Sequence, residues 1–459
     1  LNATLWWLNW FDGRSESALA QWRGLCQGRD VNALMTAGQL INWGMPALAA
    51  EMLNALDCQR TLPLYLQASL LPKAERGELV AKAIDAFPQF VRFPNTLEEV
   101  AALESIEECW FARHLLACFY YNKRSYGKAI ALWQRCVEMS PEFADGWRGL
   151  AIHAWNKQHD YELAARYLDN AYQLAPQDAR LLFERDLLDK LSGVTPEKRL
   201  ARLENNLEIA LKRDDMTAEL LNLWHLTGQA DKAADILATR KFHPWEGGEG
   251  KITSQFILNQ LLRAWQHLDA REPQQASELL HAALHYPENL SEGRLPGQTD
   301  NDIWFWQAIC ANAQGDQTEA MRCLRLAATG DRTINIHSYY NDQPVDYLFW
   351  QGMALRLLGE QQTAQQLFSE MKQWAQEMAK TSIEADFFAV SQPDLLSLYG
   401  DLQQQHKEKC LMVAMLASAG LGEAAHYESA RAELTAINPA WPKAALFTTV
   451  MPFIFNRVH

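Results

Sequence analysis

The chain has 459 residues and a formal net charge of -14, with 48% hydrophobic and 21% charged residues. This length exceeds what one compact core usually covers, so we expect either several domains or a linear array of small units. The composition excludes extended disorder, and the acidic balance argues against a nucleic-acid partner. No apolar run reaches the roughly 18–20 residues that a membrane-spanning helix needs, so no membrane partner is expected.

Eight cysteines occur at irregular spacings, with no CxxC pair and no cysteine–histidine cluster at zinc spacing. We therefore predict buried thiols in a reducing compartment, which favours a cytoplasmic location. Neither a metal site nor a cofactor is expected. Because the sequence begins at Leu1 rather than Met, we expect a fragment or a processed form of a longer protein.

In chain order, the sequence reads as successive pairs of helices. A weak pair is predicted from Ala33 to Leu53, and off-pattern helices follow over Leu64–Phe87. The clearest pair runs from Trp110 to Pro141. Its small residues Ala117, Ala129 and Cys136 would let two antiparallel helices approach closely, while large residues fill the space between them.

Further pairs continue to the C-terminus, with an off-pattern helical stretch over Leu181–Leu207. They are predicted from Trp147 to Pro176, Thr217 to Leu237, around Ala276 to Ala283, from Trp304, from Leu348 and from Met412 to Ala432. A period of about 34 residues with small residues at fixed places is typical of tetratricopeptide repeats. The sequence therefore predicts an all-α fold, a tetratricopeptide-type α-solenoid in which antiparallel helix pairs form a superhelix.

We expect four segments along this array. Degenerate N-terminal pairs occupy residues 1–105, tetratricopeptide repeats 106–240, pattern-breaking loops around one helix pair 241–300, and C-terminal repeats 301–459.

The first helix of each pair is expected to line the groove of the superhelix. The predicted groove residues are Arg148, Phe305, Phe349 and Met353. One basic residue is too few to clamp a peptide carboxylate, whereas the apolar and aromatic residues favour a helix or another domain as occupant. The alternative is that neighbouring helices close the groove and make these residues core.

Two segments break the repeat pattern, each directly after the second helix of a pair. Lys241–Gly250, with the sequence KFHPWEGGEG, has three glycines in four residues, which indicates a loop of defined shape. His285–Arg294 has the sequence HYPENLSEGR, and its position predicts that both loops lie at the same edge. The candidate binding residues in them are His243, Trp245, Glu246, Glu249, Glu288, Glu292 and Arg294.

Three interpretations of these loops are open. In the first, the glutamates pair with arginine and Trp245 plugs the gap between two repeats. In the second, the loops dock a partner. In the third, two carboxylates at a fixed separation process a glycoside, and some of the 17 tryptophans stack on sugar rings, although Trp133, Trp147 and Trp304 occupy repeat positions.

Four of these features together resemble a known family. They are the Phe93–Asn95 turn, the repeats from Trp110 to Pro176, and the FHPWEGGEG and YPENLSEGR loops, which span most of residues 90–328. The family comprises large bacterial proteins in which a galactose-mutarotase-like β-sandwich domain of unknown function precedes tetratricopeptide repeats. The resemblance implies that this chain is the helical C-terminal part, with a link to carbohydrate metabolism and the missing β-sandwich domain as partner. It transfers no catalytic residue.

We therefore predict a non-catalytic scaffold that mediates protein–protein or interdomain binding in a carbohydrate-related bacterial protein. The alternative is that the loops over residues 243–250 and 285–294 contribute to a carbohydrate-binding or glycoside-processing site. Enzymatic activity of this chain alone is not expected.

Overall fold

The structure, a computed structural model, describes residues 9–13, 15–26, 29–56, 58–87, 92–106, 108–334, 342–384, 397–441 and 443–457. Within these ranges the chain forms helices joined by turns, and no strand occurs. The chain divides into two compact units. We call Leu1–Pro176 with Ser391–Leu398 unit 1, and Gln177–Val390 with Tyr399–His459 unit 2. The expected segment boundaries at residues 105, 240 and 300 stay predictions.

Unit 1 contains short antiparallel helices that pack on their neighbours in sequence. Its described helices are α1 (Ser15–Cys26), α2 (Asp30–Asn42), α3 (Pro46–Asn54), α4 (Thr61–Ser69), α5 (Gly77–Ala86), α6 (Leu97–Glu104), α7 (Trp110–Asn122), α8 (Tyr126–Met139), α9 (Ala144–His153) and α10 (Tyr161–Leu174). A π-helical turn, Ala154–Gln158, extends α9.

The pair α7/α8 shows why the repeat residues are needed. Ala117, Ala129 and Cys136 are fully buried, and the indole of Trp133 is 0% exposed between the helices. Trp133 also lies against Gly149 of α9, where an added Cβ would come within 2.3 Å of the ring. The small residues therefore make the room that the large residue fills, as the sequence predicts.

Unit 2 has the same kind of architecture, with helices of 4 to 19 residues. They are α11 (Ala179–Leu191), α12 (Pro196–Glu204), α13 (Leu207–Ala210), α14 (Asp214–Leu226), α15 (Ala230–Thr239), α16 (Lys251–Asp269), α17 (Pro273–Ala283), α18 (Asn301–Ala313), α19 (Gln317–Ala327), α20 (Tyr347–Leu357), α21 (Gln361–Met378), α22 (Leu402–Gly420), α23 (Ala424–Ile437) and α24 (Ala444–Arg457). From α14 to α23, successive helices pack as antiparallel pairs, so the predicted all-α, tetratricopeptide-type fold is confirmed.

The off-pattern stretch at α11 and α12 contains a buried charge network beside its buried leucines. The guanidinium of Arg199 on α12 is 1% exposed and binds both carboxylate oxygens of Asp186 on α11, at 3.0 and 2.7 Å. It also donates to Glu219 of α14 at 3.1 Å. These ionic contacts link three helices in the stretch where the repeat pattern fades. Across the described residues of both units, no helix combines the length and apolar character needed to cross a membrane.

A buried histidine joins α14 to α16. His225 is 3% exposed; its Nδ1 lies 2.9 Å from Oε1 of Gln255, and its Nε2 lies 3.1 Å from Nδ2 of Asn259. Since an amide oxygen accepts and an amide NH₂ donates, these partners fit a neutral imidazole with its proton on Nδ1. Burial lowers the pKa of His225 to about 4, although the hydrogen bond that its Nδ1–H donates to Gln255 acts in the opposite direction.

This buried histidine should make unit 2 sensitive to acid. Between pH 6.5 and about 4, His225 is protonated in the unfolded chain but stays neutral in the folded protein. The free energy of unfolding therefore has its full value above about pH 6.5 and falls by about 3 kcal/mol as the pH drops to 4. Hydrogen exchange of the α14 and α16 amides, measured across this range, should show the loss. His225→Gln is the control, and an equal pH dependence in both proteins would contradict the prediction.

Candidate functional site

The two pattern-breaking loops lie side by side in unit 2. We call Lys241–Gly250 loop A and His285–Arg294 loop B. The backbone N–H of Phe242 in loop A donates to the carbonyl of Asn289 in loop B at 2.8 Å. A second link runs from the Gly250 N–H to the carboxylate of Glu292 at 3.1 Å. The loops therefore form one continuous surface, which we call the loop edge.

Loop A is held by contacts at both of its ends. The Phe242 side chain is 1% exposed, and Asp214 at the start of α14 accepts hydrogen bonds from the Arg240 guanidinium and from the His243 N–H at 2.8 Å. The Trp245 indole lies so close to Gly248 that a Cβ there would come within 1.9 Å of the ring. The absence of a side chain at Gly248 thus allows Trp245 to fold back onto its own loop.

Loop B satisfies helix ends that would otherwise be unpaired. The Asn289 side-chain amide donates to the carbonyls of Leu237 and Arg240 at the end of α15, at 2.8 and 2.7 Å. The Glu292 carboxylate accepts from the Gly250 N–H and, at 3.2 Å, from the Thr253 hydroxyl at the start of α16. Both contacts cap helix termini.

The seven candidate binding residues consequently fall into two groups. Glu292 is half-buried in its cap, and Arg294 is half-buried, donating to the Leu284 carbonyl at 3.0 Å and pairing with the buried Asp300. The other five face outwards to different degrees: His243, Glu246, Glu249 and Glu288 are exposed, and Trp245 is half-buried.

The exposed candidate residues determine the charge of the loop edge. The carboxylates of Glu246, Glu249 and Glu288 have no ion-pair partner among the described residues. His243 lies with Nδ1 3.4 Å from Asp214, at 76% side-chain exposure. The edge therefore presents three exposed carboxylates without an ion-pair partner among the described residues, together with exposed Lys241 and half-buried Trp245, on a backbone that is fixed by hydrogen bonds.

Two glutamates of loop B should respond differently to the same substitution. Glu292→Ala removes the cap of α16 and is expected to cost about 1 kcal/mol, whereas Glu288→Ala is expected to stay within about 0.5 kcal/mol of the wild type. Hydrogen exchange at the first turn of α16 measures the difference. Equal exchange in the two variants would show that Glu292 has no capping role.

The predicted groove residues lie in two places. Arg148 is half-buried on α9 of unit 1. Phe305, Phe349 and Met353 lie on α18 and α20 of unit 2, and each is 0% exposed. The first-helix face formed by α16, α18 and α20, which we call the unit 2 groove, is covered by the C-terminal helix α24.

Helix α24 contacts the groove through aromatic residues. The Phe453 ring lies 5.3 Å from Trp265 of α16 and 5.9 Å from Trp306 of α18, centroid to centroid. The Phe447 ring stacks on Trp350 of α20 at 5.8 Å and 14°. In this structure the aromatic residues of α18 and α20 are therefore core, which is the alternative that the sequence left open.

A buried charge cluster anchors the start of α24. Lys443 Nζ lies 2.9 Å from a carboxylate oxygen of Asp302 and 2.6 Å from one of Asp346. It also lies 5.0 Å from the centre of the Tyr347 ring. The sequence did not predict this cluster, because Lys443 is 141 residues from Asp302. The available signal was the amphipathic run after Lys443, which marks a helix that needs an apolar partner.

No family model matches this chain. Among solved structures it is similar to the crystal structure of YrrB, a TPR protein with an unusual peptide-binding site, at 13% identity over 50% of this chain and 89% of that chain, with a TM-score of 0.27. It is also similar to the P58(IPK) TPR domain, at 15% identity over 79% and 98% of the two chains and a TM-score of 0.25. Naa15/Naa10 bound to HypK-THB gives 13% identity, 84% and 60% coverage and a TM-score of 0.33.

These scores are below 0.5, so we base the repeat assignment on this chain's own helix pairs. Their spacing, the buried small residues at the predicted positions and the antiparallel packing identify a tetratricopeptide-type repeat scaffold.

Proposed function

We propose that this chain is a non-catalytic scaffold that binds a protein partner at the loop edge. The observation that carries the proposal is the combination of a fixed loop backbone with outward-facing carboxylates and a half-buried tryptophan. Tryptophan is enriched among the residues that contribute most to interface affinity, and unneutralised charge selects a partner of opposite sign. The expected partner surface is therefore basic, with an apolar patch for Trp245.

The partner that we favour is the β-sandwich domain of the family that the sequence resembles. Docking of that domain would account for both departures from the repeat pattern, since the two loops lie side by side at one edge. On this proposal the chain works in a carbohydrate-related bacterial protein.

The buried cysteines support the proposed cytoplasmic location. Cys136 and Cys310 are 0% exposed thiols, and burial raises the pKa of each to about 12. Thiols of this kind are protonated at neutral pH and unreactive, as in a protein of a reducing compartment.

Titration calorimetry with a recombinant β-sandwich domain of the resembled family tests the proposal. Trp245→Ala should weaken binding at least tenfold, and Glu249→Gln should weaken it severalfold and reduce its salt dependence. The matched controls are Trp43→Ala and Glu138→Gln, which change exposed residues of the same types in unit 1. If the domain does not bind, or if neither loop substitution changes its affinity, the loops have a structural role only.

The same variants examine the sugar-binding alternative. Thermal shifts with a panel of monosaccharides and oligosaccharides should leave the chain unchanged if the loop edge serves a protein partner only. A shift that Trp245→Ala abolishes would favour the carbohydrate site instead.

A further inference from the structure

Helix α24 differs from the other helices of unit 2 in how it packs. Helices α14 to α23 pair with a neighbour in sequence, but α24 lies across the first helices of earlier pairs and contacts α14 and α16. Its buried residues form one stripe, and its opposite side is solvent-exposed at Thr448, Thr449 and Pro452. The stripe consists of Leu446, Phe447, Val450, Met451 and Ile454. This is the way an amphipathic helix occupies a hydrophobic groove.

The groove contains two buried carboxylates that require a positively charged residue at the start of the helix that fills it. Asp302 is 0% exposed and Asp346 is 8% exposed at their side chains, and both pair with the single ammonium of Lys443. Two buried carboxylates without that ammonium would be strongly unfavourable. Any occupant of the groove must therefore bring a basic residue just before its first helical turn.

Two features make α24 a weaker occupant than another helix could be: one lies on its own exposed side, and the other lies in the groove. Pro452 lies inside α24, where it lacks the N–H that would bond to the Thr448 carbonyl. In addition, the indole N–H groups of Trp306 and Trp350 are buried and have no acceptor among the described residues, although both rings contact phenylalanines of α24. A helix without the proline, and with acceptor side chains near these indoles, would satisfy the groove better.

We propose that residues 443–457 are an intramolecular ligand of the unit 2 groove, and that the groove receives in competition an amphipathic helix of a protein partner. The partner helix carries a lysine or arginine ahead of an apolar stripe at spacings of three and four residues. The C-terminal segment then holds the scaffold closed until such a helix displaces it. This inference concerns a different surface from the loop edge and does not depend on it.

A labelled peptide of residues 441–457 carrying Pro452→Ala is the probe, and fluorescence anisotropy with the full chain is the measurement. Lys443→Met in the chain releases the anchor in cis, so this variant should bind the peptide at least tenfold more tightly than the wild type does. A peptide that also carries Lys443→Met should bind the variant at least tenfold more weakly. Lys407→Met, which alters an exposed pair with Glu433 in the same unit, is the matched control and should bind like the wild type.

A second pair of measurements covers the case in which Lys443→Met impairs folding. Phe453→Ala weakens the far end of α24 and leaves the anchor intact, and it should also increase peptide binding. In the wild type, excess peptide should accelerate amide exchange within residues 444–457 and leave α17 and α19 unchanged.

Two outcomes would overturn the proposal. If neither variant binds the peptide and exchange of α24 is unaffected, the segment is a permanent part of the core. If either variant forms a dimer by light scattering that the peptide dissolves, the alternative occupant is the C-terminal segment of a second copy rather than a partner's helix.

Discussion

Replacing Arg199 by methionine is expected to destabilise unit 2 by about 3–5 kcal/mol, because the substitution leaves the Asp186 carboxylate buried without its cation. The two side chains are each 1% exposed and share two hydrogen bonds. Burial raises the pKa of Asp186, and Arg199 opposes that rise. The cost should appear as faster hydrogen exchange in α11, α12 and α14, which this arginine links.

The neighbouring carboxylate shows how strongly the cluster depends on its cations. Burial by itself would raise the pKa of Glu219, but Lys190 and Arg199 together lower it to about 2. Removal of Arg199 therefore weakens the contact from α12 to α14 as well as that to α11. Lys190, 2.5 Å from Glu219, remains and keeps part of the link.

Two further variants distinguish the effect of the unpaired charge from that of lost packing. The double variant Arg199→Met with Asp186→Leu removes both charges and should recover most of the lost stability, since an apolar pair of similar volume can replace a buried ion pair. Lys232→Met breaks a more exposed pair with Glu204 and should cost about 1 kcal/mol or less. If the single and double variants were equally unstable, lost packing rather than the unpaired charge would be the cause.

The helix pairs could be predicted because their requirements are local. A small residue at a fixed spacing, such as Ala117 or Ala129, is needed wherever two helices approach closely, and the neighbouring large residues follow from the same geometry. The meeting of loops A and B could be predicted for a similar reason, since both follow the second helix of consecutive pairs. The division into two units could not, because it depends on contacts between distant parts of the chain.

The helix that fills the unit 2 groove could not be predicted from the sequence, for a different reason. The apolar pattern of residues 444–457 predicts a helix with one apolar side, but it does not identify the surface on which that side packs. The aromatic residues Phe305 and Phe349 showed equally that a groove or a core exists there. The ion pairs of Lys443 with Asp302 and Asp346, and the contacts of Phe447 and Phe453 with the groove tryptophans, show that the two surfaces belong together.

The stability of unit 2 should depend strongly on the aromatic ring of Phe368. It is 0% exposed on α21 and lies between Gly352 of α20 and Gly420 of α22; a Cβ added at either glycine would come within 2.3 Å of the ring. Phe368→Ala should therefore cost about 3–5 kcal/mol, since the flanking helices cannot close the cavity without moving their partners. Urea unfolding followed by circular dichroism, with hydrogen exchange of α20 to α22, measures the loss.

The two glycines give the converse test. Alanine normally stabilises a helix relative to glycine by about 1 kcal/mol, but Gly352→Ala and Gly420→Ala should each destabilise the protein by about 1–3 kcal/mol because the new methyl group meets the ring. Gly127→Ala in α8, where no atom lies within 4 Å of the new Cβ, is the control and should be neutral or stabilising. Combining Gly352→Ala with Phe368→Leu should cost less than the sum of the two single changes, because the smaller side chain makes room for the methyl group. Strict additivity would mean that the glycine and the ring do not share the same space.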